Sequence, residues 1–109
     1  MKGSKHDDEM HGNEGNDELL GWNGDDLLHG GAGMDDIEGG GGDDEIHGGS
    51  GNDEIFGDGG SDVIHGGSGF DKIYAGKDND VVFGGDNNDR IWGDEGDDYL
   101  EGGAGNDQI

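Results

Sequence analysis

The 109-residue sequence predicts an all-β solenoid of strand-turn-strand-turn coils, and three observations carry that prediction. Glycine and aspartate recur in a fixed nine-residue phase, each period holds one branched aliphatic residue, and no segment has helical spacing. Written in nines from Gly12, the blocks follow Gly-Gly-x-Gly-x-Asp-x-aliphatic-x, and the register holds to Ile109.

The eighth place is Leu19, Leu28, Ile37, Ile46, Ile55, Ile64, Ile73, Val82, Ile91, Leu100 and Ile109, the only strictly apolar positions. One inward side chain between two outward neighbours predicts a very short strand of about three residues. The other six residues must turn. Glycines at the first, second and fourth places are expected to supply backbone with positive φ, so that two blocks close one coil. At the fourth place Asp78 and Asn87 tolerate that region, whereas His6 is less comfortable there. Residues 3–11 (GSKHDDEMH) keep Gly3, Asp8 and Met10 in phase but lose other glycines. They read as a degraded block in an N-terminal leader, 1–11, ahead of the repeat body, 12–109.

Composition excludes an ordinary globular domain. The chain carries 29 Gly and a formal charge of -24, with only 26% hydrophobic residues, a balance that keeps chains disordered unless something besides a core holds them. Without Cys there is neither a disulfide framework nor a thiol nucleophile. The negative field repels nucleic acid and anionic membranes and attracts cations. No apolar run approaches the ~20 residues of a membrane helix, and Met1 to Met10 has no apolar segment of a cleavable signal.

The sixth place is Asp in every block: Asp17, Asp26, Asp35, Asp44, Asp53, Asp62, Asp71, Asp80, Asp89, Asp98 and Asp107, with Asp8 in the degraded block. Together with GGSGNDEIF at 48–56 and GGAGNDQI at 102–109, this pattern resembles the RTX (repeats-in-toxin) nonapeptide family. The resemblance implies a right-handed parallel β-roll with Ca²⁺ between stacked turns. The ligands it implies are those aspartates and the turn carbonyls, on Gly15, Gly24, Gly31, Gly33, Gly40, Gly42, Gly49, Gly51, Gly60, Gly67, Gly69, Gly76, Gly85, Gly96, Gly103 and Gly105.

The chemistry of the residues agrees. Calcium is a hard cation taking 6 to 8 oxygens, which glycine carbonyls and one carboxylate per turn can offer. Zinc would want His and Cys that the turns lack, and no segment has EF-hand spacing. Two columns of six turns leave at most about ten interior sites, enough to bring -24 to about -4. One aliphatic residue per nine cannot offset chain entropy, so the metal-free chain is expected to be unfolded and calcium binding to be cooperative.

The expected function is therefore a calcium-folded, non-catalytic module of a larger secreted bacterial protein: a toxin, protease, lipase or adhesin. The resemblance implies type I secretion and an extracellular location. The alternative is a stiff adhesin or interaction spacer whose outer faces bind a partner. Acidic pairs such as Asp25-Asp26, Asp43-Asp44 and Asp97-Asp98 follow from phase, their first members falling at a variable fifth place. Ser4, Ser50, Ser61 and Ser68 have no positioned His-Asp partner. No nucleic acid or membrane insertion is expected; the partners are calcium, flanking domains and, at the open end by Ile109, a neighbouring domain or a second copy.

Residues 18 apart should stand one above another on the outer faces. His11, His29, His47 and His65 share the ninth place of alternate blocks, a solvated ladder or a transition-metal chelator. Phe56, Tyr74 and Trp92 occupy the same register opposite, beside Glu54, Lys72 and Arg90, with cross-strand stacking and a Glu54–Lys72 pair expected. With Val63, Val81, Phe83 and Tyr99, they make the second half more apolar outside, which is either stacking alone or a docking surface.

Overall fold

The computed structural model describes residues 1–109 and contains eleven strands and no helix. They are β1 (Glu9–Glu14), β2 (Glu18–Asn23), β3 (Leu27–Ala32), β4 (Asp36–Gly41), β5 (Glu45–Ser50) and β6 (Glu54–Gly59). The second half adds β7 (Val63–Ser68), β8 (Lys72–Lys77), β9 (Val81–Asp86), β10 (Arg90–Asp94) and β11 (Tyr99–Ala104). Odd-numbered strands form one six-stranded sheet and even-numbered strands a five-stranded one, all in parallel. Each strand pairs with the strand two further on in a register of one coil, as in Met10 with Leu28 and Leu28 with Ile46. The chain is a parallel β-roll, as the family resemblance implies.

Two details differ from the sequence reading. The strands are six residues long, five in β10, because pairing continues past the aliphatic residue through the first three places of the next block. Only the fourth to sixth places turn. The first-place glycines accordingly lie inside strands and have ordinary φ. Their need for glycine is one of space: a methyl on Gly66 would stand 2.5 Å from the Gly84 carbonyl oxygen and 2.6 Å from Asp71 Oδ2. Ala75 is the one first-place residue that carries a methyl, and it is completely buried.

Positive φ belongs to the second and fourth places. There even Asn13, Trp22, Asp58 and Asp94 adopt it at the second place, as do Asp78 and Asn87 at the fourth. His6 does not, so the degraded block turns differently.

The core is a single file between the sheets, from Met10 through Leu19, Leu28, Ile37, Ile46, Ile55, Ile64, Ile73 and Val82 to Ile91, with Ala75. Leu100 packs against it partly buried, and Ile109 is 67% exposed, so the last aliphatic place is not an inward residue. The sheets' thinness follows from one large side chain per rung, and the Cα envelope measures 37 × 33 × 12 Å.

Crowding at the first place separates two glycine classes. Gly66→Ala is expected to destabilise the folded state by about 1–3 kcal/mol through overpacking. Gly59→Ala, at a third place where the nearest atom is 3.9 Å away, should change it by less than about 0.5 kcal/mol. Thermal midpoints of the two variants under the same folding conditions provide the check.

Candidate metal centre

The sixth-place aspartates end each turn, immediately before the next strand. From Asp8 to Asp89 each backbone N–H there donates to the carboxylate of the aspartate in the next coil: Asp26 to Asp44 Oδ1 at 2.8 Å, Asp44 to Asp62 at 2.8 Å and Asp62 to Asp80 at 2.8 Å. Along the other edge Asp35 donates to Asp53, Asp53 to Asp71 and Asp71 to Asp89, each at 2.9 Å. Two files of carboxylates result, one on each edge of the roll. From Asp26 to Asp89 these residues are only 1–3% exposed.

From Asp26 onward Oδ1 is used; Oδ2 is not. In all nine aspartates from Asp17 to Asp89, Oδ2 is buried and has no hydrogen-bond partner. That oxygen lies over the first-place glycine of its own block, facing the first-place carbonyl of the next coil. At Gly48 a methyl would meet Asp53 Oδ2 and the Gly66 carbonyl oxygen, each at 2.6 Å. Asp8 differs, because Ser4 donates to its Oδ2 through N–H at 2.6 Å and Oγ at 3.0 Å. Asp98 and Asp107, near the open end, are less enclosed.

All sixteen glycines named above have positive φ. The fourth-place carbonyls point along the roll at the glycine of the next coil, as Gly24 does toward Gly42. None of them accepts a hydrogen bond from the chain. No three acidic or imidazole side chains converge on one point. An ion at a turn must therefore combine carboxylate with backbone oxygen. Buried, unpartnered carboxylate oxygens beside carbonyls and glycine space form an all-oxygen donor set, which fits a hard cation of calcium's size.

The fifth place, read from sequence as variable, is structural. Its Asn and Asp side chains accept from the fifth-place N–H of the next coil: Asp7 from Asp25, Asp25 from Asp43 and Asn16 from Met34, each at 2.8 Å, and Asn52 from Phe70 at 2.9 Å. The same bond joins Asn79 to Asp97 and Asn88 to Asn106. The recurrence of Asn or Asp at this place was the available signal.

A family model described as the RTX calcium-binding nonapeptide repeat matches the chain in four copies, at residues 3–37, 29–64, 56–91 and 74–109. The chain belongs to the RTX calcium-binding nonapeptide repeat family. It is a calcium-binding repeat module, and the β-roll of its family is a structural element. No curated protein and no solved structure matches the chain.

Burial sets the electrostatics of this RTX roll. Desolvation raises the Asp62 carboxyl to about 8, Asp71 to about 7 and Asp44, Asp53 and Asp80 to about 6, with neighbouring aspartates adding to the rise. Their ordinary value is 3.8, so without metal the folded state binds protons more tightly than the unfolded one. The stability this contributes is fully present below 3.8 and is lost as pH rises through about 6 to 8. In chelator, far-UV circular dichroism should therefore gain β signal as pH falls from about 8 to 4. A signal that falls over that range would contradict the buried files.

Proposed function

We propose that this module is a calcium-driven folding switch, non-catalytic in itself, in a larger secreted protein. The supporting observation is a difference between two neighbouring columns. At the fifth place Asn and Asp serve equally as acceptors of the next coil's N–H. At the sixth place the Oδ1 bond is of the same kind, yet only Asp occurs. Hydrogen bonding alone would admit Asn there. What Asn lacks is the charge on Oδ2, the atom left buried without a partner.

In this reading Oδ2 of the sixth-place aspartates and the carbonyls of the second- and fourth-place glycines hold Ca²⁺ between turns, at no more than about ten interior sites. Calcium supplies the positive charge that lets stacked carboxylates be buried. The chain supplies the rest: glycines admit close carbonyls, strand ladders set the spacing, and the aliphatic file excludes water from one side. Asp8 contributes less, since Ser4 already occupies its free oxygen.

Extracellular calcium modules work at about 10⁻⁴ to 10⁻³ M, so such a chain stays open in a cytosol and closes outside. That fits export of an unfolded chain followed by folding on emergence, as in other RTX proteins. The tests are direct. At neutral pH the chain should lack β signal in EDTA and gain it cooperatively in millimolar Ca²⁺; equal signals in both would end this reading. Asp62→Asn should raise the free calcium at the folding midpoint about 5-fold, roughly 1 kcal/mol. Asp43→Asn, at a fifth place, should shift it less than about 2-fold. Equal shifts in the two variants would remove the role given to Oδ2.

A further inference from the structure

On the outer face of the six-stranded sheet, far in chemistry from the oxygen-lined turns, stands a row of nitrogen donors. His11, His29, His47 and His65 are register partners on β1, β3, β5 and β7. Their rings stack at 4.8, 4.7 and 4.7 Å between centroids, with interplanar angles of 4°, 9° and 0°. Phe83 closes the row beyond His65 at 5.1 Å.

Carboxylates divide the row. Glu9 Oε1 is 2.8 Å from His11 Nε2, and Glu45 Oε1 is 2.8 Å from His47 Nε2. The seventh place beside His29 and His65 is instead Leu27 and Val63. The file thus consists of two equivalent units, each with two imidazoles and one carboxylate. We propose that these units are a second metal centre, taking two transition-metal ions of the zinc class, one at Glu9, His11 and His29 and one at Glu45, His47 and His65.

Two imidazoles and a carboxylate are a donor set that Zn²⁺ accepts, leaving a fourth position for water. Calcium, preferring oxygen, does not compete for it. Each carboxylate already stands 2.8 Å from Nε2 of the imidazole with which it would share the ion. Burial, reinforced by the like-charged neighbours, holds His29 and His65 below their ordinary pKa, so both offer lone pairs at neutral pH. The stack itself is too wide for an ion with Zn–N bonds of about 2.0–2.1 Å, and no three ligands converge while the rings are parallel. The two sites therefore require the partly exposed rings to turn about their side-chain bonds. The charge of -24 raises the local concentration of any divalent cation.

The test is calorimetric titration of Zn²⁺ into the full chain saturated with calcium, paired with long-range ¹H–¹⁵N spectra of the imidazoles. Two ions per chain are expected, with all four ring systems shifting while the backbone amide pattern of the roll persists. His47→Asn should leave one ion, and His11→Asn with His47→Asn none; Glu9→Gln and Glu45→Gln should each weaken one site about 10-fold. Zinc uptake by a variant with all four histidines changed to Asn that equals the native uptake would place zinc on carboxylates instead. That result, or ring signals that do not move, overturns the proposal. Neither bears on calcium-driven folding, which the dichroism experiment reads separately.

Discussion

The structure depends on carboxylates that do two jobs with two oxygens. From Asp26 onward, Oδ1 of each sixth-place aspartate receives the N–H of the sixth-place aspartate one coil earlier, fixing the spacing of the turns. Oδ2 is thereby carried into the interior with nothing to meet it. A buried carboxylate without a partner costs several kcal/mol unless it is neutralised, and the nearest available compensation is a proton or a cation. The same side chain therefore templates the stack and leaves a buried oxygen for a proton or a cation to meet. With Ser4 satisfying Asp8, the conflict is relieved at the first block and persists from Asp17 onward.

Much of this was legible in the sequence because the repeat is exact. A fixed phase fixes the register, so the pairs His11 with His29 or Tyr74 with Trp92 could be read from numbers 18 apart and appear as parallel stacks. The file of aliphatic residues was equally plain. Strand length was not, since the first three places look like turn residues. Glycine serves both where φ is positive and where an ordinary strand is too crowded for a methyl, and only coordinates separate Gly48, whose φ is ordinary and whose need is space alone, from Gly49, which is crowded and has positive φ as well. The glycines and aspartates of the candidate site were legible as a set, but not which carboxylate oxygen is free.

Charge placement on the outer faces was less readable. Glu54 and Lys72 are register partners on β6 and β8 yet form no ion pair. Both are exposed, and holding two long side chains together in water returns little. The only pairs on the faces join Glu9 to His11 and Glu45 to His47, side chains two residues apart on one strand, where the pleat already aligns them. Local geometry decides where cross-strand charge does not.

Opposed directions of bonding bear on cooperativity. Fifth-place acceptors reach forward, taking the N–H of the next coil, while sixth-place acceptors reach back, taking the N–H of the preceding one. The seventh-place N–H adds a bond to the sixth-place carbonyl of the coil before it, as from Asp36 to Asp17 at 2.8 Å. Each interface is thus closed from both sides by residues adjacent in sequence, and a coil without a neighbour leaves polar groups open on both. Because the aliphatic file contributes one side chain per rung, no coil has a core of its own. Ordering one interface presents the next with formed acceptors at the correct height, so the free energy of folding resides between coils rather than within them, the condition under which a linear array closes as a unit.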